Sequence, residues 1–142
     1  LMAVLEGMPM TQAERKDECQ RLLERFGISH VADNMALTMS GGEKRRLTIA
    51  RSLVTQPSLL MLDEPFSGVD PIAVGEIQNI IRDLRDDGLS ILITDHNVRE
   101  TLSIVDRAYL IFEGRVRLEG TQEFLVNDPT ARKLYLGENF NM

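Results

Sequence analysis

The sequence contains little cysteine and no long apolar segment. Of the 142 residues only Cys19 is a cysteine, which excludes a disulfide bond within the chain. Its place in a helical apolar pattern favours a buried thiol over a catalytic one. No apolar run approaches the ~20 residues of a membrane-spanning helix, and residues 1–9 lack the basic start and long apolar core of a secretory signal. We therefore expect a cytoplasmic chain without direct membrane insertion.

Positive charge is also scarce. Lysine and arginine total 16 against 22 aspartates and glutamates, which gives a formal net charge of −6. This balance argues against a general nucleic-acid or anionic-membrane surface. The one basic cluster, Lys44-Arg45-Arg46, is short and falls within a predicted helix, where a solvated helix face is the simplest interpretation. With 43% hydrophobic and 27% charged residues, the composition is that of a globular domain with its own core.

One apolar run ends in two adjacent acids. Residues 59–62 are all apolar and lead directly into Asp63 and Glu64, with a proline next. A run without alternation predicts a strand buried on both faces of a parallel sheet, whose carboxyl end is where α/β sheets bind ligands. Neighbouring strand side chains point to opposite faces, so Asp63 can hold a metal through water while Glu64 faces the reacting group. From this stretch alone, two acids that open a turn after a core strand remain an alternative.

A glycine-rich helix start precedes that strand. Ser40 and Glu43 match a capping box, which by itself accounts for the serine and the glutamate. It does not account for Gly41 and Gly42, because glycines in a first helical turn cost about 1 kcal/mol each relative to alanine. Their usual advantage is that backbone N–H groups can approach a neighbour closely, and at a helix N-terminus that neighbour is most naturally an anion such as phosphate. We therefore predict phosphate contacts for Ser40, Gly41 and Gly42.

The segment after the two acids predicts a βαβ unit. Asp70 is placed to cap a helix that begins at Pro71, and a second apolar strand, residues 89–94, leads to His96. The crossover between such strands is right-handed in nearly all known cases and makes them parallel. Glu64 and His96 would then follow the ends of neighbouring strands. His30 has no second potential ligand nearby, so we interpret it as a surface or packing histidine.

The remaining segments predict ordinary elements. Thr11 and Glu14 form a second capping box for a helix over residues 12–26, which Gly27 ends. The helix after Ser40 has a predicted inner stripe of Leu47, Ala50, Leu53 and Val54. Residues 107–120 alternate around Glu113-Gly114, a hairpin signal. Two more helices follow, capped by Thr121 and Asp128.

Taken in order, these signals resemble the ATPase subunit of an ATP-binding cassette (ABC) transporter over roughly residues 11–120. The family's signature, Walker B strand, D-loop and switch histidine correspond to Ser40-Gly41-Gly42-Glu43, Leu59–Glu64, Ser67–Asp70 and His96. The resemblance implies a P-loop NTPase-type α/β fold, with a parallel sheet core, flanking helices and a C-terminal antiparallel hairpin. It places a helical subdomain in residues 1–57 and the C-terminal part of the ATPase core in residues 58–142. Met39 and Glu43 replace the usual leucine and glutamine of the signature, and we do not expect Glu43 to contact the ligand.

The resemblance also implies a mechanism with ATP and Mg²⁺. The catalytic residues would be Glu64, which deprotonates the attacking water, and His96, which contacts the γ-phosphate. Asp63 would hold Mg²⁺ through water. Two subunits close head to tail in this family, so the ATP of the partner subunit would be met by Ser40, Gly41, Gly42 and Asp70. The other implied partners are transmembrane permease subunits, which would hold the chain at the inner face of the cytoplasmic membrane.

Part of the family pattern is missing from the sequence. There is no G-x-x-x-x-G-K-S/T phosphate loop, no adenine-stacking aromatic of the family and no glutamine-containing loop. With a first residue of Leu1, this leads us to expect a fragment that is inactive alone, the alternative being a separately made module. Residues 93–100 and 135–140 resemble lipopolysaccharide-export ATPases of Gram-negative bacteria. Branched-chain amino-acid importers and non-transport ABC ATPases are the alternatives.

Overall fold

In the computed structural model, residues 1–136 are described, and they form two compact units, Leu1–Thr94 and a second that begins at Asp95. The α-helices are α1 Met2–Leu5, α2 Gln12–Arg25, α3 Gly41–Leu53, α4 Pro71–Asp86, α5 Val98–Leu102, α6 Gln122–Asn127 and α7 Pro129–Ala131. The strands are β1 Leu59–Asp63, β2 Ser90–Thr94, β3 Ala108–Phe112 and β4 Arg115–Gly120. Short 3₁₀ turns cover Ser29–Val31 and Ala36–Thr38, and a π-helical turn covers Arg132–Leu136.

Two predictions about the organisation of the chain are not decided by these residues. The predicted boundary between a helical subdomain, residues 1–57, and the C-terminal part of the ATPase core, residues 58–142, stays a prediction. The part of the subfamily resemblance that falls on residues 137–140 lies outside the described residues. Among residues 1–136, no helix combines the length and the apolarity needed to cross a membrane.

The first unit contains the predicted βαβ arrangement. Strands β1 and β2 pair in parallel, from Leu59 opposite Ser90 to Asp63 opposite Thr94, and α4 connects them. Helix α4 begins as predicted, because the Asp70 carboxylate accepts hydrogen bonds from the backbone N–H groups of its first turn at 3.1 and 3.0 Å. The parallel pair and the helix cap are thereby confirmed.

One face of this two-stranded sheet is exposed, so the prediction of a strand buried on both faces is wrong. Leu60 is only 5% exposed, whereas Met61 is 69% and Leu92 46% exposed. Successive strand side chains point to opposite faces, and α4, which contacts β2, buries the face on which Leu60 lies. No element of the first unit, Leu1–Thr94, covers the opposite face. Asp63 and Thr94 lie on that open face, because they are two residues beyond Met61 and Leu92.

The helical part of the first unit follows its local signals closely. The capping box at α2 is formed, with the Thr11 N–H donating to Glu14 at 2.7 Å, and Gly27 ends the segment with φ of +62°. In α3 the predicted stripe is shifted: Ile49 is buried together with Ala50, and Leu47 is only half-buried. Cys19 is half-buried rather than fully buried.

The second unit contains the predicted hairpin. Strands β3 and β4 pair antiparallel, and both turn residues are left-handed, with φ of 51° at Glu113 and 70° at Gly114. Left-handed values at both positions match the twist of the flanking strands. Thr121 and Asp128 cap the following helices through backbone N–H groups, as their sequence positions predicted.

Candidate functional site

The start of α3 is held by a reciprocal pair of hydrogen bonds. The Ser40 N–H donates to Oε2 of Glu43 at 2.7 Å, and the Glu43 N–H donates to Oγ of Ser40 at 3.2 Å. The other carboxylate oxygen of Glu43 lies 2.8 Å from Nε2 of His30. Both oxygens are therefore engaged within the chain, which gives Glu43 a structural role. In the same box the Ser40 Oγ accepts from the Glu43 N–H, and the Ser40 side chain also hydrogen-bonds the Glu43 carboxylate. The predicted contact of Ser40 with a ligand stays a prediction.

These contacts also change the acidity of Glu43. They lower the pKa of its carboxyl to about 2, with the Ser40 backbone N–H as the largest cause, followed by the Ser40 side chain and His30. The His30 side chain is 62% exposed and yet bonded to Glu43, a contact that the sequence interpretation missed. The segment between His30 and Glu43 is irregular, so the sequence shows no periodic pattern from which its path could be predicted. The one available signal was the carboxylate at position 43, where the resembled family has glutamine.

The two signature glycines lie against α4 and the loop before it. A Cβ on Gly42 would lie 2.7 Å from the Cβ of Ala73, and a Cβ on Gly41 would lie 3.2 Å from the carbonyl oxygen of Gly68. A side chain at position 42 would therefore force α3 away from α4. This packing requires glycine at position 42 whether or not the backbone N–H groups of the turn contact a ligand. The predicted contact of these N–H groups with phosphate stays a prediction.

Asp63 is the last residue of β1, and its Oδ1 accepts a hydrogen bond from the Thr94 hydroxyl at 2.5 Å. A carboxylate has about four acceptor positions, so Asp63 can still accept from water molecules on a cation, and its hard oxygen atoms suit Mg²⁺. Within residues 1–136 no group of three or more His, Cys, Asp and Glu side chains could hold a metal ion. The predicted role of Asp63 in holding Mg²⁺ stays a prediction.

Glu64 follows Asp63 with a left-handed backbone, φ +46°. Positive φ is uncommon for residues other than glycine, and such strained conformations cluster at functional sites. The Glu64 N–H donates to the carbonyl of Thr94 at 2.6 Å, and its carbonyl accepts from the Ser67 N–H at 3.2 Å. The same carbonyl accepts from Nη2 of Arg45 at 2.8 Å. The strand end, the loop and α3 thus all hold the backbone on the two sides of Glu64.

The basic cluster of α3 is not the solvated face that its sequence suggested. Lys44 is exposed, but Arg45 and Arg46 are half-buried. Besides the bond of Arg45 to Glu64, Nη1 of Arg46 donates to the Phe26 carbonyl at 3.5 Å and lies 3.4 Å from Oε2 of Glu76. The expectation is therefore wrong for both arginines, which tie α3 to other parts of the first unit.

His96 belongs to the second unit, where it stands beside a buried acid. The Asp95 side chain is fully shielded from solvent, and its Oδ1 accepts from the backbone N–H and the side-chain amide of Asn97, both at 2.7 Å. Nδ1 of His96 lies 3.8 Å from the same oxygen atom, while the ring is largely exposed. The predicted proximity of Glu64 and His96 stays a prediction.

The comparisons with known proteins agree with this set of features. Residues 2–67 match the family model of the ABC transporter. All of the chain aligns with the lipopolysaccharide export system ATP-binding proteins of Haemophilus influenzae and Escherichia coli K12, at 50% and 48% identity, and it spans 59% of each. Over its whole length the chain is therefore similar to ABC transporter ATP-binding proteins. A probable ABC transporter ATP-binding protein of Azorhizobium caulinodans is 51% identical over 99% of the chain and 50% of its own length.

Solved structures of ABC ATP-binding cassettes have the same fold. A nucleotide-free ATP-binding cassette from an ABC transporter matches with a TM-score of 0.81 at 29% identity, over 92% of this chain and 53% of that structure. A component of the cbiONQ transporter complex of Clostridium perfringens matches with a TM-score of 0.80 at 31% identity, over 96% of this chain and 55% of its own. The predicted α/β fold is confirmed. The chain spans little more than half the length of these relatives.

Proposed function

We propose that this chain is part of an ATP-hydrolysing subunit that powers an ABC transporter for lipopolysaccharide export. The observation that carries the ATPase assignment is the fixed left-handed peptide of Glu64, which places a carboxylate directly after Asp63 at the carboxyl end of a parallel strand. The transported substrate is proposed from the relatives of 48 to 50% identity whose names state lipopolysaccharide export.

Each step of the mechanism that the resemblance implies has a residue that can perform it. Mg²⁺ bound with ATP would neutralise charge on the phosphates, and Asp63 would hold that ion through water. Glu64 orients the attacking water and accepts its proton, and His96 contacts the γ-phosphate. The Ser40 hydroxyl and the N–H groups of Gly41 and Gly42 donate to the ATP of a second ATPase subunit, whose site Asp70 also approaches through the D-loop.

The proposed partners follow from the different roles of these residues. A head-to-tail dimer is needed because the signature and the strand-end acids of one subunit serve different ATP molecules. Transmembrane permease subunits would carry the substrate and hold the ATPase at the inner face of the cytoplasmic membrane. The 142-residue chain alone should not hydrolyse ATP, because its sequence has no phosphate loop and phosphoryl transfer depends mainly on positioning.

The test is Glu64→Gln in the full-length subunit. ATP binding should be retained while hydrolysis slows by on the order of 100-fold or more, as expected for loss of a general base. An ATP-stabilised dimer should then accumulate. Turnover of this variant at the wild-type rate would contradict the proposal and leave Glu64 as a carboxylate that only opens the turn.

A further inference from the structure

Arg45 makes a contact that neither its position in a basic cluster nor the proposed mechanism accounts for. It lies near the start of α3, is half-buried, and donates from Nη2 to the carbonyl oxygen of Glu64 at 2.8 Å. The two residues are 19 positions apart in the sequence, so the bond joins two separate elements of the first unit. A guanidinium group suits such a role because its planar, always charged fork gives directional donors.

The accepting peptide is one whose conformation needs support. Glu64 has φ of +46° and precedes Pro65, and a residue before proline is already restricted in its backbone conformation. Its N–H is bonded to β2 through Thr94, and the Ser67 bond to its carbonyl is the longer one, at 3.2 Å. Arg45 therefore supplies the shorter of the two bonds to this carbonyl, and it does so from outside the strand and its loop.

We propose that Arg45 is a positioning residue for Glu64, holding the left-handed peptide so that the carboxylate is presented to the attacking water. This inference rests on the proposed role of Glu64 as the general base. In this role Arg45 acts through the backbone of Glu64, to whose carbonyl oxygen it donates. Ser40 and the signature glycines begin the same helix, α3, and are proposed to contact the partner's ATP. Arg45 therefore also connects this part of the subunit to Glu64, the proposed base for the subunit's own ATP.

The kinetic test uses the full-length subunit with Arg45→Gln, Arg45→Lys and the control Arg51→Gln. Arg51 is an exposed arginine of the same helix. Arg45→Gln should lower kcat by on the order of 10-fold with KM for ATP changed less than about twofold, since ground-state binding of ATP does not involve Glu64. Arg45→Lys should recover part of the loss, and Arg51→Gln should behave as wild type.

A double substitution separates this role from general damage to the fold. When Glu64→Gln is already present, adding Arg45→Gln should slow the residual turnover no further, because residues that act as a unit are not additive. An equal further loss in that background, or a wild-type kcat for Arg45→Gln, overturns the inference. If Arg45→Gln melts well below wild type, the same comparison is made with Arg45→Lys, which must then show the same non-additive loss.

A spectroscopic test works even if the proposed function fails. Glu64-Pro65 is the single Glu-Pro pair in the sequence, so selective labelling of the glutamate carbonyl carbon and the proline nitrogen gives one correlated carbonyl signal from the 142-residue chain. Loss of the hydrogen bond in Arg45→Gln should shift this signal, while Arg51→Gln should leave it in place. An unshifted signal in Arg45→Gln overturns the inference independently of activity. Wild-type turnover by Glu64→Gln would instead overturn the proposed function.

Discussion

Gly42 of the signature turn packs directly against Ala73 of α4, at a distance that excludes any side chain on the glycine. A Cβ built on Gly42 would come within 2.7 Å of the Ala73 Cβ, and a methyl group attached to the backbone cannot turn aside. The start of α3 is thus fixed against the helix that Asp70 caps. This contact positions the signature turn and the D-loop relative to one another.

Gly42→Ala should therefore destabilise the chain, although alanine is the better helix former. We expect a loss of about 1–3 kcal/mol in the free energy of unfolding, as for overpacking elsewhere, measured by chemical denaturation. Gly75→Ala is the matched control, because a Cβ at this helical glycine meets nothing within 4 Å. That change should stabilise by up to about 1 kcal/mol. Equal effects of the two substitutions would contradict the packing explanation.

Glu43 should make the first unit sensitive to acid over a defined range. The pKa of its carboxyl is lowered from 4.5 to about 2 by the capping box and His30. A depressed pKa contributes stability that is fully present above the unfolded-state value and lost as the pH falls from about 4.5 to about 2. Glu43→Gln keeps a residue able to complete the box but removes the charge, so the melting temperature should depend less on pH in this range.

Two control variants sharpen the acid experiment. His30→Ala should remove only part of the pH dependence, because the hydrogen bonds from Ser40 remain and are the larger causes of the shift. Glu6→Gln, at an exposed position after α1, should leave the slope unchanged. If Glu43→Gln and wild type lost stability in parallel between pH 4.5 and 2, the capping carboxylate would not be the acid-sensitive group.

The open face of the β1–β2 sheet should make the 142-residue chain associate with itself. Exposed apolar side chains and strand edges favour pairing between copies. Met61→Thr combined with Leu92→Thr removes apolar surface from this face while keeping β-forming residues, and light scattering at micromolar concentrations should show smaller particles. Ile72→Thr is the control, because Ile72 is 80% exposed but lies on α4. A monodisperse wild-type monomer would contradict the prediction.

Ser40 can be tested with two substitutions that both cap helices. Asparagine is as good an N-cap as serine, so Ser40→Asn should melt near wild type, whereas Ser40→Asp also places a second carboxylate beside Glu43 and should melt at a somewhat lower temperature. In the full-length subunit Ser40→Asp should prevent the ATP-dependent dimer, because a carboxylate would face phosphate oxygen atoms and like charges repel. Ser40→Asn should retain more dimer. Equal dimerisation by the two variants would argue that Ser40 only caps its helix.

Mixing variants separates action on the subunit's own ATP from action on the partner's. If Ser40 serves the partner's ATP and Glu64 serves its own, a dimer of Ser40→Asp with Glu64→Gln carries both defects in one site and leaves the other site intact. Recovery of turnover on mixing the two inactive subunits would support this arrangement. If Ser40 served its own ATP, each site would carry one defect and mixing would restore nothing.

Elements whose signals are local could be predicted from the sequence alone. The capping boxes at Thr11 and Ser40, the cap at Asp70 and the left-handed turn at Glu113 each depend on residues within a few positions, so their hydrogen bonds form wherever the helix or hairpin forms. The parallel pairing of β1 and β2 was also predictable, because a helix of this length between two apolar strands leaves few other topologies.

Which distant groups meet depends on tertiary packing and could not be predicted from the sequence. The bonds of Arg45 to the Glu64 carbonyl and of His30 to Glu43, and the close approach of Gly42 to Ala73, depend on how α3 lies against β1, α4 and the irregular segment before it. Periodicity tells which face of an element is apolar but not which neighbour covers it. For the same reason the apolar run of β1 predicted two buried faces, whereas burial needs a layer on each side and α4 supplies one.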